Sequence, residues 1–205
     1  MKIIDCEQGT PEWFEARLGV LSASNFGKVV TATGKWSSQA DAYINELAAE
    51  VITGERKEMF QSFAMTRGVE LEEEARDTFC YTYDYEVDQV GFCIRDDFKI
   101  GCSPDGLLYE KSGLEIKCPL AHTHLGYLKA NVLPTAYIQQ VQGSLYVTDR
   151  EEWHFYSYHP SFDQQLRVIV HRDEEYIKAM AGHLERAANE IQELIEKFKG
   201  ENHAE

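Results

Sequence analysis

Two carboxylates and a lysine stand within a span of thirteen residues, at Asp105, Glu115 and Lys117. Asp105 follows a proline and precedes a glycine, a sequence typical of a tight turn. Glu115 and Lys117 stand two apart in an apolar run, and residues two apart share one face of a β-strand. A hairpin between residues 106–109 and 114–117 would therefore bring both carboxylates to the ammonium.

Hydrolysis of a phosphodiester is a reaction that needs such a set of groups. A hard cation neutralises developing charge and generates hydroxide near neutral pH, and carboxylate oxygens hold Mg²⁺ or Mn²⁺. In this hypothesis the Ile116 carbonyl is a further ligand, while Lys117 positions the attacking water or stabilises the pentavalent phosphorus. The alternative is an ordinary polar hairpin with Glu115 and Lys117 exposed. The apolar run favours the metal site, because charged groups there need a partner or a cation.

Caps and periodicity predict the elements that must position these residues. We expect helices at residues 11–18, 22–30, 37–54, 63–83, 122–129, from 134, and at 173–199. We expect strands at residues 87–94, 99–102, 106–109, 113–117, 153–158 and 166–171. This order predicts an α/β or α+β layered domain with a mixed sheet. One domain over residues 1–205 would comprise N-terminal helices (10–84), a sheet with its helices (85–171) and a C-terminal helix (173–199).

The net charge of −15 argues, taken alone, against a protein that binds DNA. Net charge does not fix the local field in a cleft, and bound cations would reverse the local sign. Part of the excess is concentrated, with ten acidic and four basic residues between Glu55 and Asp88. The five cysteines are odd in number and lack CxxC spacing, so neither a zinc site nor a disulfide framework is indicated. The chain has neither a long apolar segment nor a secretory signature, so we expect the cytosol.

Four blocks of sequence resemble the lambda-exonuclease/YqaJ-type alkaline nucleases of the PD-(D/E)XK superfamily, over residues 13–158. Each block is weak alone, but four in order at suitable separations are specific. The blocks are Trp13–Gly19 with Ser22–Ser24, Gly68–Arg76, Cys102–Gly106 with Gly113–Pro119, and Tyr137–Gln142.

The resemblance implies a restriction-endonuclease-like fold, with a mixed central sheet flanked by helices. It implies a Mg²⁺-dependent enzyme, with Mn²⁺ as a substitute, that digests one strand of linear duplex DNA from 5′ to 3′. The product would be a 3′ single strand for recombination. The implied partners are DNA ends, two further copies of the chain in a homotrimeric ring, and a single-strand annealing protein of a phage or prophage. A ring with an acidic exterior and a basic channel would also answer the charge objection.

The resemblance also assigns roles to residues. Asp105, Glu115 and the Ile116 carbonyl would bind the metal, and Lys117 would be the catalytic lysine. Glu72 and Gln140 would complete the catalytic site. Three further residues would bind the 5′ phosphate: Arg17, Ser24 and Ser103. The alternatives are a solvated or helix-pairing role for Arg17, Glu72 and Gln140, and we interpret Trp13 as a core residue.

The chain departs from the family where lambda exonuclease has a basic residue after its Lys-Cys-Pro block. Here the matching residue is Thr123, flanked by His122 and His124. Either a histidine substitutes for the basic residue, or the preference for a 5′ phosphate is weaker. Asp96 is a candidate for a further acidic position of the family, although its spacing before Asp105 is one residue shorter.

Three other functions are compatible with parts of the pattern. A restriction-type endonuclease would use the same chemistry on closed circular DNA. A RecB-like nuclease with an iron–sulfur cluster would need cysteines near the C-terminus, and the last cysteine here is Cys118. A catalytically inactive module that binds DNA ends would not need Asp105, Glu115 and Lys117 together.

Overall fold

The computed structural model describes residues 1–55, 63–97, 99–109 and 111–199, with only the backbone at 63–65. The predicted domain limit at residue 205 lies outside these ranges. The helices are α1 (Pro11–Ala16), α2 (Ala40–Thr53), α3 (Phe63–Tyr83), α4 (Ala121–Ala130), α5 (Ile138–Thr148) and α6 (Glu174–Lys199). The strands are β1 (Lys2–Ile4), β2 (Leu21–Ser22), β3 (Phe92–Ile94), β4 (Ile100–Cys102), β5 (Gly106–Leu108), β6 (Ser112–Lys117), β7 (Glu152–Ser157) and β8 (Leu166–His171). Short 3-10 helices cover Ala23–Lys28 and Thr135–Tyr137.

The strands form two four-stranded sheets, both of mixed direction. The first has the order β1-β3-β4-β2, with β2 parallel to β4 and antiparallel pairs elsewhere. The second has the order β5-β6-β7-β8, with β6 parallel to β7. A parallel pair needs a long crossover, and α4 and α5 supply it. The predicted class, an α+β fold with mixed strand pairing flanked by helices, is confirmed, although the strands are divided between two sheets.

The second sheet has helices against both faces of β6. On one face, Leu114 and Ile116 belong to an apolar cluster with Ala75 and Phe79 of α3. On the other face, Phe155 belongs to a larger core that includes residues of α2, α5 and α6. Side chains alternate along a strand, so Glu115 and Lys117 share the α5 side of β6.

The amphipathic helices pack as the sequence predicts. The apolar residues Tyr43, Ile44 and Leu47 of α2 are buried in the same core as Ile177 and Leu184 of α6. The 3-10 helix at 23–28 packs closely on α5, because a side chain added at Gly143 would come within 2.4 Å of the Phe26 ring. Among the described helices, none is long and apolar enough to cross a membrane.

The sequence reading fails mainly on short elements. β1 and β2 have three and two residues, too few for a periodic pattern, and neither was predicted. The predicted strand at 87–94 is shorter than expected, since it reduces to Phe92–Ile94 and an isolated bridge between Asp88 and Leu107. The segment predicted as a helix from residue 22 is a 3-10 helix, and the helix predicted from Pro134 starts as one.

Candidate active site

The predicted hairpin is present and orients Asp105. Gly106 of β5 pairs with Leu114 of β6, and the Asp105 N–H donates to the Leu114 carbonyl at 3.2 Å. Beyond this pair, Oδ2 of Asp105 accepts the backbone N–H of Ile116 at 2.6 Å. This bond to the neighbouring strand fixes the carboxylate of Asp105 beside the end of β6.

Glu115 lies at the centre of a cluster of polar side chains, which we call the carboxylate cluster: Glu72, Asp105, Glu115, Lys117 and Gln140. Only 1% of Glu115 is exposed. Its Oε1 accepts hydrogen bonds from the Lys117 ammonium and from Nε2 of Gln140, the latter at 2.6 Å. Gln140 lies in the first turn of α5, so the fold joins a strand and a helix that are distant in sequence.

Glu72 comes to the cluster from α3. Its Oε1 accepts a hydrogen bond at 2.6 Å from Nη2 of Arg76, one turn further along the helix. Nε of Arg76 donates to the backbone carbonyl of Asp105 at 3.2 Å. Arg76 is therefore a member of the site to which the sequence pattern assigned no role.

Burial raises the pKa values of the carboxyl groups in the cluster. It raises the pKa of Glu115 to about 8, although the Lys117 ammonium acts in the opposite direction. It also raises the pKa values of Asp105 and Glu72, and the charge of Asp105 adds to the shift of Glu72. For Lys117, burial acts to lower the pKa, but Glu115 and Asp105 outweigh it and the pKa is raised. The cluster holds more negative charge than its buried setting favours, and a cation would relieve it.

The arrangement of oxygens fits a divalent cation. Within the described residues, no group donates a hydrogen bond to Oδ1 of Asp105 or to Oε2 of Glu115. The carbonyl of Ile116 lies on the same side of β6 as its N–H, which faces Asp105. In the part of the chain that the structure describes, acidic, cysteine and histidine side chains do not form a group of three around one point. Two carboxylates and a carbonyl, with other positions left to water and phosphate, suit Mg²⁺.

A second group of polar residues lies on the other side of Pro104, and we call it the donor cleft: Trp13, Arg17, Ser22, Ser24 and Ser103. Oγ of Ser103 accepts hydrogen bonds from Nη1 of Arg17 and Nε1 of Trp13, both at 2.9 Å. The Arg17 guanidinium carbon lies 4.1 Å from the centre of the Trp13 ring. An arginine held among hydroxyl groups is well suited to bind a phosphate.

Ser24 joins the donor cleft through Ser22. Nη2 of Arg17 donates to Oγ of Ser22 at 3.2 Å, and the hydroxyls of Ser22 and Ser24 are 3.4 Å apart. Ser22 precedes the 3-10 helix at 23–28, but its side chain makes no capping hydrogen bond. Ser22 instead contacts Arg17 directly, which the sequence pattern did not reveal.

Two expectations near the donor cleft are corrected. Trp13 is not a core residue, because its ring is only partly buried and its N–H points to Ser103. His124 does not substitute for the basic residue missing at Thr123, because it is fully buried with both ring nitrogens engaged. Its partners are the Ser157 hydroxyl at 2.8 Å and the Gln164 carbonyl at 3.2 Å. Of the two flanking histidines, only His122 is exposed.

Asp96 lies apart from these contacts. It is in the turn between β3 and β4, and its carboxylate pairs with the amino group of Met1 at 2.7 Å. Its side chain is exposed. The structure therefore gives Asp96 no contact with Asp105 or Glu115.

Comparisons with known proteins identify the class of fold. Residues 12–151 match the family model of the YqaJ-like viral recombinase domain. The chain is similar to the crystal structure of an alkaline exonuclease, LHK-Exo, from Laribacter hongkongensis. The two are 31% identical with a TM-score of 0.84, covering 94% of this chain and 98% of that chain. The structure of LHK-Exo in complex with dAMP gives 30% identity and a TM-score of 0.83, with the same coverage.

A phage-related exonuclease from Haemophilus somnus 129PT is 18% identical, with a TM-score of 0.66 over 87% of this chain and 96% of that chain, and it supports the fold alone. Among curated proteins, no match was found. The fold is that of a nuclease of the PD-(D/E)XK type. The chain belongs to the YqaJ-like viral recombinase domain family and to the lambda-exonuclease-like alkaline exonucleases, as predicted. Membership of this family identifies it as a nuclease that acts on DNA.

Proposed function

We propose that the chain is a Mg²⁺-dependent exonuclease that digests one strand of linear double-stranded DNA from its 5′ end and leaves a 3′ single strand. One observation carries this proposal: Ser103 of the donor cleft and Asp105 of the carboxylate cluster are separated by a single proline. Two residues of chain span at most about 7 Å, which is comparable with the distance between neighbouring phosphates in a DNA strand. A terminal phosphate at Ser103 would therefore bring the next phosphodiester beside Asp105.

The residues of the chain divide the work of hydrolysis. When bound, Mg²⁺ would supply positive charge at the scissile phosphate and make a water molecule more acidic. Asp105, Glu115 and the Ile116 carbonyl would hold it. The Lys117 ammonium, fixed by Glu115, would orient the attacking water or donate to a phosphate oxygen. Gln140 would keep Glu115 in place through Oε1, and Glu72 would accept a hydrogen bond from water in the site.

Arg17 would bind the 5′ phosphate, with hydroxyl groups from Ser24 and Ser103. Charge-assisted hydrogen bonds to phosphate are about twice as strong as neutral ones, so a terminal phosphate would be preferred over a 5′ hydroxyl. This preference supplies direction, because the enzyme would start at ends that carry the phosphate.

The same proposal includes a homotrimeric ring and a single-strand annealing protein that binds the product. The ring comes from the resemblance, and the net charge of −15 is compatible with it if the outer surface is acidic and the channel locally basic. Light scattering would give three times the mass of 23.5 kDa if the ring forms. A monomer at working concentration would contradict this part of the proposal.

The deciding experiment compares linear and closed circular duplexes, with 5′-phosphate or 5′-hydroxyl ends, in Mg²⁺ and in EDTA. We expect Mg²⁺-dependent loss of linear DNA, faster from phosphorylated ends, while circles are spared. Loss of circles would favour a restriction-type endonuclease. Binding of ends without digestion would favour an inactive module. The variant Lys117→Ala serves as the control, and it should bind ends without digesting them.

A further inference from the structure

Arg76 joins the two parts of the chain that bring carboxylates to the cluster. Its Nη2 donates to Glu72 on α3 at 2.6 Å, and its Nε donates to the Asp105 backbone carbonyl at 3.2 Å. The Arg76 side chain is only 12% exposed, whereas that of Glu72 is 35% exposed. Within this ion pair, the Arg76 guanidinium is therefore the more buried group, and it contacts the hairpin of β5 and β6 at Asp105.

Glu72 needs such a partner to remain in the cluster. The Asp105 carboxylate repels it, burial disfavours its charge, and solvent is accessible on its outer side. Without a bond toward the interior, its side chain would turn to water, where a carboxylate is better solvated. The ion pair with Arg76 opposes this rotation.

The shape of arginine explains why one residue can make both contacts. A guanidinium is planar and carries five N–H groups in a rigid fork, so bonds through Nη2 and Nε fix their two acceptors relative to each other. A lysine could pair with Glu72 or with the carbonyl, but it could not fix both directions.

We propose that Arg76 is a positioning residue, which holds Glu72 at a set position beside the Asp105 turn and thereby orients the third carboxylate toward the water of the reaction site. This inference rests on the proposed function, in which Glu72 takes part in hydrolysis. Arg76 also balances charge. When Glu72, Asp105 and Glu115 are all ionised, Arg76 and Lys117 leave one excess negative charge. Loss of Arg76 leaves two, which repels the DNA backbone more strongly.

The test is a set of four variants: Arg76→Met, Arg76→Lys, Glu72→Gln, and the double variant Glu72→Gln/Arg76→Met. We expect Arg76→Met to lower kcat by about 10- to 100-fold, as for a misplaced catalytic group, and to raise KM for DNA. The double variant has the wild-type charge balance. Its KM should therefore return toward that of wild type, while its kcat should match Glu72→Gln alone. Arg76→Lys should recover part of kcat.

A matched control separates positioning from a structural role. Arg172 likewise donates to a carboxylate, Glu174 at 2.6 Å, and to a backbone carbonyl, Leu145 at 2.8 Å, away from the cluster. Arg172→Met should lower thermal stability and leave kcat and KM unchanged. A second readout uses EDTA-treated proteins without DNA, in which Arg76→Met should lower the unfolding temperature in the wild-type background and less in the Glu72→Gln background.

The proposal is overturned if the losses in kcat of Arg76→Met and Glu72→Gln multiply in the double variant, or if KM rises further in it. It is also overturned if Arg172→Met reduces kcat as strongly as Arg76→Met. Digestion of linear DNA by the wild-type protein is measured in parallel. If that digestion is absent the proposed function fails, whereas normal digestion with unchanged Arg76→Met kinetics removes only the role of Arg76.

Discussion

The carboxylate cluster and the donor cleft lie on either side of Pro104 and handle charge in opposite ways. In the cluster, burial raises the pKa values of three carboxyl groups, those of Glu72, Asp105 and Glu115. In the cleft, the guanidinium of Arg17 is held by the hydroxyls of Ser22 and Ser103. The first region is suited to bind a cation, and the second presents Arg17 and hydroxyl groups to an anion, in a cavity that Glu46 and Glu50 also line.

Under the proposed function, this difference would let one short segment serve both hydrolysis and recognition of a DNA end. A metal ion beside Asp105 would attract any phosphate along the strand. A doubly charged terminal phosphate would gain most from Arg17 and its hydroxyl neighbours. Under the proposed function, hydrolysis and end recognition depend on different residues, so mutations should disturb them separately.

The largest effect should come from the cluster. Replacement of Lys117 by alanine removes the ammonium that contacts Glu115, and we expect kcat to fall by about 10³-fold, as for loss of an electrostatic catalytic group. The loss should be equal for 5′-phosphate and 5′-hydroxyl ends. The control is Lys111→Ala, which removes an exposed ion pair with Glu151 at the other end of β6. Retained activity in Lys117→Ala would contradict the assignment.

A smaller and more selective effect should come from the cleft. Arg17→Ala should reduce the ratio of rates on 5′-phosphate and 5′-hydroxyl ends by about tenfold, because a hydrogen bond to a charged group contributes about 1.5–3 kcal/mol. Arg95→Ala is a suitable control, because the guanidinium of Arg95, like that of Arg17, lies over an aromatic ring. Its guanidinium carbon is 4.5 Å from the centre of the Tyr146 ring. A uniform loss on both ends would mean that Arg17 supports hydrolysis and not end recognition.

In EDTA, without bound metal, the carboxylate cluster should make the stability of the protein depend on pH, whereas the donor cleft should not. The folded-state pKa of Glu115 is raised from 4.5 to about 8, so between these values the folded protein binds more protons than the unfolded chain. The contribution of Glu115 to stability should therefore decrease as pH rises from about 4.5 to about 8. Glu115→Gln should raise the unfolding temperature at pH 8.5 by about 2 °C or more, with little change at pH 4.5.

Added Mg²⁺ should reverse this behaviour, with a larger rise in unfolding temperature for the wild-type protein than for Glu115→Gln. Arg17→Ala, measured alongside, keeps the carboxylate cluster, so the change in unfolding temperature that it causes should be the same at both pH values and with or without Mg²⁺. If Glu115→Gln is less stable than wild type at pH 8.5 in EDTA, the cluster is not under charge repulsion.

The smallest effects concern the two serines beside Arg17. Ser22 accepts a hydrogen bond from Arg17, while the hydroxyl of Ser24 contacts that of Ser22. Ser22→Ala should therefore lower the preference for 5′-phosphate more than Ser24→Ala, each by a few-fold, since a single hydrogen bond contributes about 1 kcal/mol. The reverse order, measured as the ratio of initial rates on the two ends, would favour the phosphate-binding role that the resemblance gave to Ser24 and not to Ser22.

More of the carboxylate cluster than of the donor cleft could be predicted from local sequence patterns. Asp105, Glu115 and Lys117 could be brought together from local rules, because a turn and the period of two in a strand determine a hairpin. Arg17 and Ser24 entered only through resemblance, since they come from other elements that no local pattern relates to Ser103. Ser22 and Arg76 were missed because their roles depend on distances between elements. β2, with two residues, is too short for its periodicity to be read, yet it leads directly into the cleft at Ser22.

The direction of digestion is the most direct test of the claim that the donor cleft delivers a 5′ end to the carboxylate cluster. A linear duplex with 5′ phosphates is labelled at the 5′ end in one sample and at the 3′ end of the same strand in another, and release of label is followed in Mg²⁺. The account predicts that the 5′ label is released first, as a mononucleotide, while the 3′ label remains on long fragments. Earlier release of the 3′ label, or release of the 5′ label on oligonucleotides of mixed length, would contradict it.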